Sequence, residues 1–416
     1  MQPLLYNSKI GIIFFSRKNK VRKLLIFIFA SILMISCSTC ITKIESTFSQ
    51  RPPGSLKVYE VPQFITFGFD DNGFSGLENS GGTGGVKFII DLFASRYNPS
   101  GTGNERTYDG AQTHFSMYCV TGYIDNIGIE NPVFVKRAWR EALLNGNEIG
   151  VHTHQHKHGI PLSVEEWESE IQTCIDWLTK PFDSQESIEE PDNTKGIGMN
   201  PSEIYGFRAP YLEYSDNAFQ AVFSKGFLYD SSIEEGFQDD QDGTNFFWPY
   251  KLDMGSPGDK ISAQEQQRKP ISAYPGLWEI PGHAVIVPPD SLCAKYGVKP
   301  GLRRKMKQAQ DYFDEENGKI TGFDWNLWIL FGMTKAEFLA TLKYSLDLRL
   351  KGNRCPMAFG THSDIYSSKF QDVPNATVEE RQEALIEFID YALSKPWVRI
   401  VSAKELLDWR RDPSPL

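Results

Sequence analysis

The feature that most constrains the fold of this chain is an alternation. Short apolar runs, each ending in Gly, Asp or His, take turns with longer amphipathic stretches. Phe64 to Phe69, Phe115 to Val120, Glu148 to Val151, Tyr205 to Phe207, Leu277 to Ile280 and Met357 to Phe359 read as strands. Between them, Val133 to Leu144, Ser163 to Thr179, Asp216 to Lys225, Thr334 to Lys351 and Val378 to Ser394 carry apolar residues at helical spacing. Strand followed by helix, repeated, implies an α/β fold with a parallel sheet. In such folds chemistry gathers at the carboxyl ends of the strands. Asp70 and Asp71 follow the first run, His152 the third, Arg208 the fourth and His362 the last. Long connections interrupt the pattern at 72–109, 185–203, 238–274 and 288–324, and segments of that length are expected to carry function or to lack order. No internal repeat is visible. With 416 residues the chain can hold one large barrel or two medium domains.

The N-terminus differs from the rest. Six basic residues and no acid precede Cys37, and an uncharged run from Leu24 to Ser36 follows Lys23. That is the layout of an export signal. The tail Leu-Met-Ile-Ser-Cys37 resembles a bacterial lipoprotein cleavage box, which would make Cys37 the lipidated first residue. Because uncharged residues continue to Thr42, an uncleaved helical anchor is the competing reading. Either places the body outside the cytoplasm, in the cell envelope and tied to a membrane. Residues 1–36 are therefore assigned to a signal or anchor, 37–56 to a tether and 57–410 to a catalytic domain; Arg51-Pro-Pro-Gly54 marks the tether's end.

Without the leader, 37 basic residues face 53 acidic ones, a net of −16. This argues against a nucleic-acid partner, because phosphate binding needs a basic surface. A neutral or cationic glycan is compatible with it, and a monomer is expected. Of six cysteines, Cys119, Cys174, Cys293 and Cys355 lie in the body, where three full pairings are possible. Cys119, inside an apolar run, reads as a small buried hydrophobe and the pairing stays open.

Four of the seven histidines fall at His152, His154, His156 and His158. Imidazole is the commonest zinc ligand, and whether this segment is helix or strand His152 and His156 end on the same side. Asp70-Asp71 offers two carboxylates after a strand that point different ways, one toward a metal and one toward water. With His152 and His156, an aspartate makes a two-histidine, one-carboxylate site with positions left open, the pattern of a catalytic zinc. Arg208, with a planar fork able to hold a carboxylate bidentately, would keep Asp70 ionised and oriented. Pro210 fixes the turn after it, so that the Tyr211 amide could donate to an oxyanion. His362, just past an apolar run, is suited to act as a general acid.

Together these residues resemble the polysaccharide deacetylase family, carbohydrate esterase family four, over most of residues 60–405. Gly68-Phe-Asp70-Asp71 is similar to the family's Thr-Phe-Asp-Asp, which implies Asp70 as general base and Asp71 as metal ligand. His152-Thr-His-Gln-His156 is similar to its His-Ser/Thr-x-x-His, which implies both imidazole ligands. Arg208-Ala-Pro-Tyr211 matches Arg-x-Pro-Tyr, Tyr229-Asp230-Ser231-Ser232 resembles a looser motif with an Asp-Ser pair, and His362 ends the last. The resemblance implies a distorted, seven-stranded (β/α) barrel with long inserted loops, Zn2+ or a similar divalent cation, and removal of N-acetyl groups from a chitin-like or peptidoglycan glycan. In that scheme zinc polarises the acetamide, Asp70 takes the water's proton and His362 protonates the leaving amine. Arg208 and Asp230 join the catalytic set. Runs such as Phe247-Trp-Pro-Tyr-Lys-Leu-Asp and Leu277-Trp-Glu-Ile-Pro point to the chitin-deacetylase-like branch.

Three positions depart from the pattern: Gly68 for Thr or Ser, Gly360-Thr361 for an apolar leucine pair, and Cys355 for Ala. His154 and His158 fall outside the ligand positions, and His114 and His283 read as structural or rim residues. Trp278 and Trp325, with Trp328 and Phe247-Trp248, are candidate sugar platforms, because a pyranose face stacks on flat rings. A non-catalytic glycan-binding barrel and an amidase for small amides are the competing functions. The first is disfavoured by the complete set of polar residues, the second by export.

Overall fold

The computed structural model describes residues 48–416. The leader, Cys37 and most of the tether lie outside those residues. Among the described residues there are thirteen strands: β1 (Gln63–Asp71), β2 (Ser116–Cys119), β3 (Glu148–Val151), β4 (Gly206–Phe207), β5 (Tyr229–Asp230), β6 (Glu234–Glu235), β7 (Tyr250–Lys251), β8 (Trp278–Glu279), β9 (Gly282–His283), β10 (Val285–Ile286), β11 (Lys319–Ile320), β12 (Met357–His362) and β13 (Val398–Ile400). The main sheet runs β12-β1-β2-β3-β4-β5-β8-β7. Every pairing from β12 to β8 is parallel, which gives the seven expected strands in one curled α/β sheet. β7 adds an antiparallel edge, and β13 pairs with the first residues of β1. Among the described residues no ladder joins β7 to β12, so the barrel is distorted and stays open. Two small ladders, β6 with β9 and β10 with β11, lie outside the main sheet.

β1 is buried along almost its whole length, as a parallel strand covered on both faces must be. Its aromatic residues drive the packing. Phe69 meets Phe115 edge to face at 5.4 Å, and Phe115 meets Phe93 at 5.0 Å, which fastens the helix Gly85–Ala94 to the sheet. Each such ring, fully buried, contributes roughly 1.5–3 kcal/mol. Four helices start with a reciprocal Ser/Thr…Glu cap, at Ser163/Glu166, Thr334/Glu337, Thr377/Glu380 and Ser402/Glu405.

The structure corrects the reading of the long connections. Three of them contain helices, Gly85–Ala94, Pro257–Glu265 and Leu302–Ala309. The fourth, 185–203, is pinned by Lys136 Nζ on Glu186 at 2.7 Å, a fully buried ion pair. Cys119, Cys174, Cys293 and Cys355 are all free and buried. The chain is already held to the body before residue 56: Ser49 O accepts from Trp248 N at 2.9 Å and Gln50 O from Asn353 Nδ2 at 2.7 Å. Among the described residues no helix is long and apolar enough to cross a membrane.

Candidate active site

The site is built at the carboxyl edge of β12, β1, β3 and β4. β1 ends in two successive left-handed residues, Asp71 at φ 67° and Asn72 at φ 69°. For residues with a Cβ this costs about 1–2 kcal/mol each, so the turn has to be held from outside. Asn72 Nδ2 donates to Phe69 O at 2.8 Å and to Tyr118 O at 3.1 Å. Trp139 Nε1 and Ser363 Oγ donate to Asn72, each at 2.9 Å, and Asp364 accepts from the N–H groups of Gly73 and Phe74. The outcome is that the adjacent carboxylates diverge, as the sequence reading expects.

Asp71 meets the two histidines. Its Oδ1 lies 3.2 Å from His156 Nε2 and 3.8 Å from His152 Nε2. One ligand atom from each of the three falls within 4.8 Å of the others. The segment carrying them is neither helix nor strand. Thr153 (φ 68°) and His156 (φ 51°) are left-handed, and Thr153 Oγ1 accepts from His156 N at 3.2 Å, which turns both imidazoles inward. His152 Nδ1–H donates to Arg208 O at 2.7 Å, leaving the Nε2 lone pair facing Asp71. Burial drives the pKa of both rings down, so they are neutral.

These residues fit a divalent cation. Asp71 Oδ1 is buried and has no hydrogen-bond partner, a costly state unless something positive sits before it. Donor atoms about 2.0–2.2 Å from a tetrahedral zinc lie roughly 3.4 Å apart, close to the separations found here.

Asp70 is turned the other way and is 3% exposed. Its Oδ1 accepts from Arg208 Nη1 at 2.7 Å. The expected bidentate fork is not formed, because Arg208 is shared out: Nη1 also reaches Gly68 O, Nη2 reaches Ser231 Oγ at 3.0 Å and Nε reaches Ser231 O at 2.9 Å. Burial raises the Asp70 pKa to about 6, against the pull of Arg208.

His362 stands opposite Asp70 in the ladder. Its Nδ1–H donates to Asp324 Oδ1 at 2.8 Å, and its backbone N–H to Asp324 Oδ2 at 3.0 Å. Burial opposes the charged ring, but Asp324, joined by Asp71 and Asp70, raises its pKa to about 9. Asp324, fully buried, is the partner of His362 that the sequence alone does not bring out.

The remaining candidates are sorted by position. Tyr211 is 55% exposed; its ring meets His156 edge to face at 4.5 Å and stacks on His158 at 4.3 Å. Trp325 is 40% exposed, with its ring 5.9 Å from His362. Trp278 lies in β8, paired on both sides, where it is 8% exposed and flanked by Lys251 and Arg410. Asp230 sits behind Arg208: its carboxyl accepts from Ser232 N and Oγ, and Ser232 Oγ in turn accepts from Ala209 N at 2.8 Å, so it braces the Arg208 turn. His154 turns away to Thr121 and Asp125, His158 pairs with Glu213, His114 pairs with Glu405 and His283 donates to Phe247 O.

A curled parallel sheet with acidic, imidazole and guanidinium groups at its carboxyl edge defines the class: a distorted (β/α) barrel with a candidate metal pocket. No family model matches the chain. Chitin deacetylase 1 of Bombyx mori is 28% identical over 183 residues, 44% of this chain; the match spans 27% of that relative's length. Among solved structures, a protein assigned as a polysaccharide deacetylase from Mycobacterium smegmatis aligns over 88% of this chain and 95% of its own, at 15% identity and a TM-score of 0.48. A Pseudomonas aeruginosa protein with the same assignment aligns over 85% and 92%, at 14% identity and a TM-score of 0.42. In its motif set and in this curated relative, the chain is similar to the polysaccharide deacetylase family, carbohydrate esterase family four.

Proposed function

We propose that this chain is a metal-dependent hydrolase that removes N-acetyl groups from an N-acetylglucosamine-containing polysaccharide of the chitin or peptidoglycan type. The observation that carries the reading is the convergence of three groups at one sheet edge: Asp71 with its two histidines, Asp70 with Arg208, and His362 with Asp324. Asp71, His152 and His156 would hold the cation. Zinc or a similar ion bound there would supply Lewis-acid polarisation of the acetamide and a lowered pKa for water.

The protein's own groups do the proton work. With a pKa of about 6, Asp70 is ionised near neutrality and accepts the proton of the attacking water. Arg208 keeps it oriented. With a pKa of about 9, His362 is protonated in the same range, and its Nε2–H is free to protonate the departing amine because Nδ1–H is committed to Asp324. The turn at Tyr211 follows Pro210, where its N–H is read as an oxyanion donor. The rings of Tyr211 and Trp325 are read as contact surfaces for the sugar. The products are acetate and a glucosamine unit.

The export reading belongs to the same proposal. A basic, acid-free leader ending at Ser36-Cys37 supports a membrane-anchored lipoprotein facing an extracytoplasmic glycan. The test of function is acetate release from acetylated chitooligosaccharides and from peptidoglycan by the wild type, Asp70→Asn and His362→Ala. Loss in both variants supports the assignment, and undiminished release by either contradicts it.

A further inference from the structure

Two departures from the family pattern, Gly68 and Gly360, face each other in the β1–β12 ladder, two residues before the opposed Asp70 and His362. Side chains two apart on a strand share a face. The glycine pair therefore leaves a notch on the face that carries Asp70 and His362, one layer beneath them. Other segments fill it. A Cβ on Gly68 would lie 2.7 Å from Arg208 Nη1 and 2.9 Å from the Tyr118 ring, and one on Gly360 would lie 2.1 Å from the Phe323 ring. Phe323 is held there by its backbone: it bridges Gly360, whose N–H donates to Gly322 O at 2.8 Å. Its ring is almost wholly buried. The Arg208 guanidinium lies over the faces of two rings, 4.2 Å from the centre of Tyr118 and 5.1 Å from that of Phe323.

We propose that Phe323 is a positioning residue: admitted by Gly360, its ring presses the Arg208 guanidinium toward Tyr118 and so fixes the carboxylate of Asp70. The two glycines are then parts of one arrangement, in which aromatic rings and a guanidinium occupy the space that side chains on the strands would otherwise take. A face-to-ring cation contact in a dry site is directional, and a misplacement of about 1 Å at a reacting group costs roughly 10²-fold in rate. The consequence for turnover rests on the reading of Asp70 as the base; the effect on Arg208 does not.

The test uses the full chain, arginine-labelled with 15N, as wild type, Phe323→Leu, Gly360→Ala and the double variant. Phe323→Leu keeps most of the buried volume, so folding is preserved while the flat face is lost. The expected results are that hydrogen exchange at Arg208 Nε–H speeds up roughly tenfold or more in either single variant, and that kcat for acetate release falls by about 10²-fold with KM little changed. In the double variant the losses do not add, since both changes remove one contact. Arg208 Nε–H exchange as slow in folded Phe323→Leu as in the wild type overturns the proposal, as do losses that add. Absent turnover in the wild type would count against the deacetylase reading, while the exchange rates still decide the role of Phe323.

Discussion

Asp70 and His362 are direct partners in the parallel ladder between β1 and β12, so the proposed base and acid are carried by neighbouring strands and aimed from the same edge. Their ionisations are set by separate companions, Arg208 for one and Asp324 for the other. The pH dependence of the rate follows. In the proposed mechanism Asp70 acts without its proton, so the rate is expected to rise as pH passes about 6, and His362 acts with its proton, so the rate is expected to fall as pH passes about 9. A pH–rate profile of kcat/KM checks the plateau between these limits.

Asp324→Asn removes the charge that holds His362 up. The alkaline limb is expected to move to lower pH and kcat to fall by roughly 10²-fold, with the acid limb in place. Comparing pH profiles of the two proteins measures it.

Arg208→Met leaves Asp70 buried without its cation. Breaking one side of a buried pair costs about 3–5 kcal/mol, and the acid limb should move up because the uncompensated carboxylate is harder to ionise. Denaturant unfolding gives the first quantity and the rate profile the second.

Much of this site was legible because its residues directly follow apolar runs. Asp70, His152, Arg208 and His362 come just after or at the ends of strands that burial makes conspicuous, and the diverging carboxylates follow from two residues at a strand end. Asp324 was not legible for a physical reason. It follows a two-residue strand, β11, and gains its meaning from a contact with His362, 38 positions away. Periodicity also could not separate Trp278 from Trp325, since only the pairing of β8 inside the sheet buries the first. The helix Gly85–Ala94 is capped by one glycine and starts on another, Gly84 and Gly85, which hides its start. The left-handed turn at Asp71-Asn72 is held by bonds from distant residues, Tyr118, Trp139 and Ser363, that no local pattern announces.

Ion binding should depend on Asp71, His152 and His156 and be indifferent to their histidine neighbours. Calorimetric titration with zinc is expected to show one site in the wild type and in His158→Ala, and a loss of roughly 10²-fold or more in affinity for His156→Ala.

The mature N-terminus is expected to be a lipidated Cys37. Mass spectrometry of membrane-extracted protein should find a diacylated peptide beginning there, and a peptide spanning Lys23-Leu24 in the mature chain would rule it out.

The central claim is that one cation, held by one carboxylate and two imidazoles, makes this site hydrolytic. It is tested most directly by stripping the protein with a chelator, adding zinc in steps and following acetate release from an acetylated chitooligosaccharide. The account predicts no release from the stripped protein and a return that saturates at one ion per chain. Release that persists without the ion, or a fully folded protein that takes up none, would contradict it.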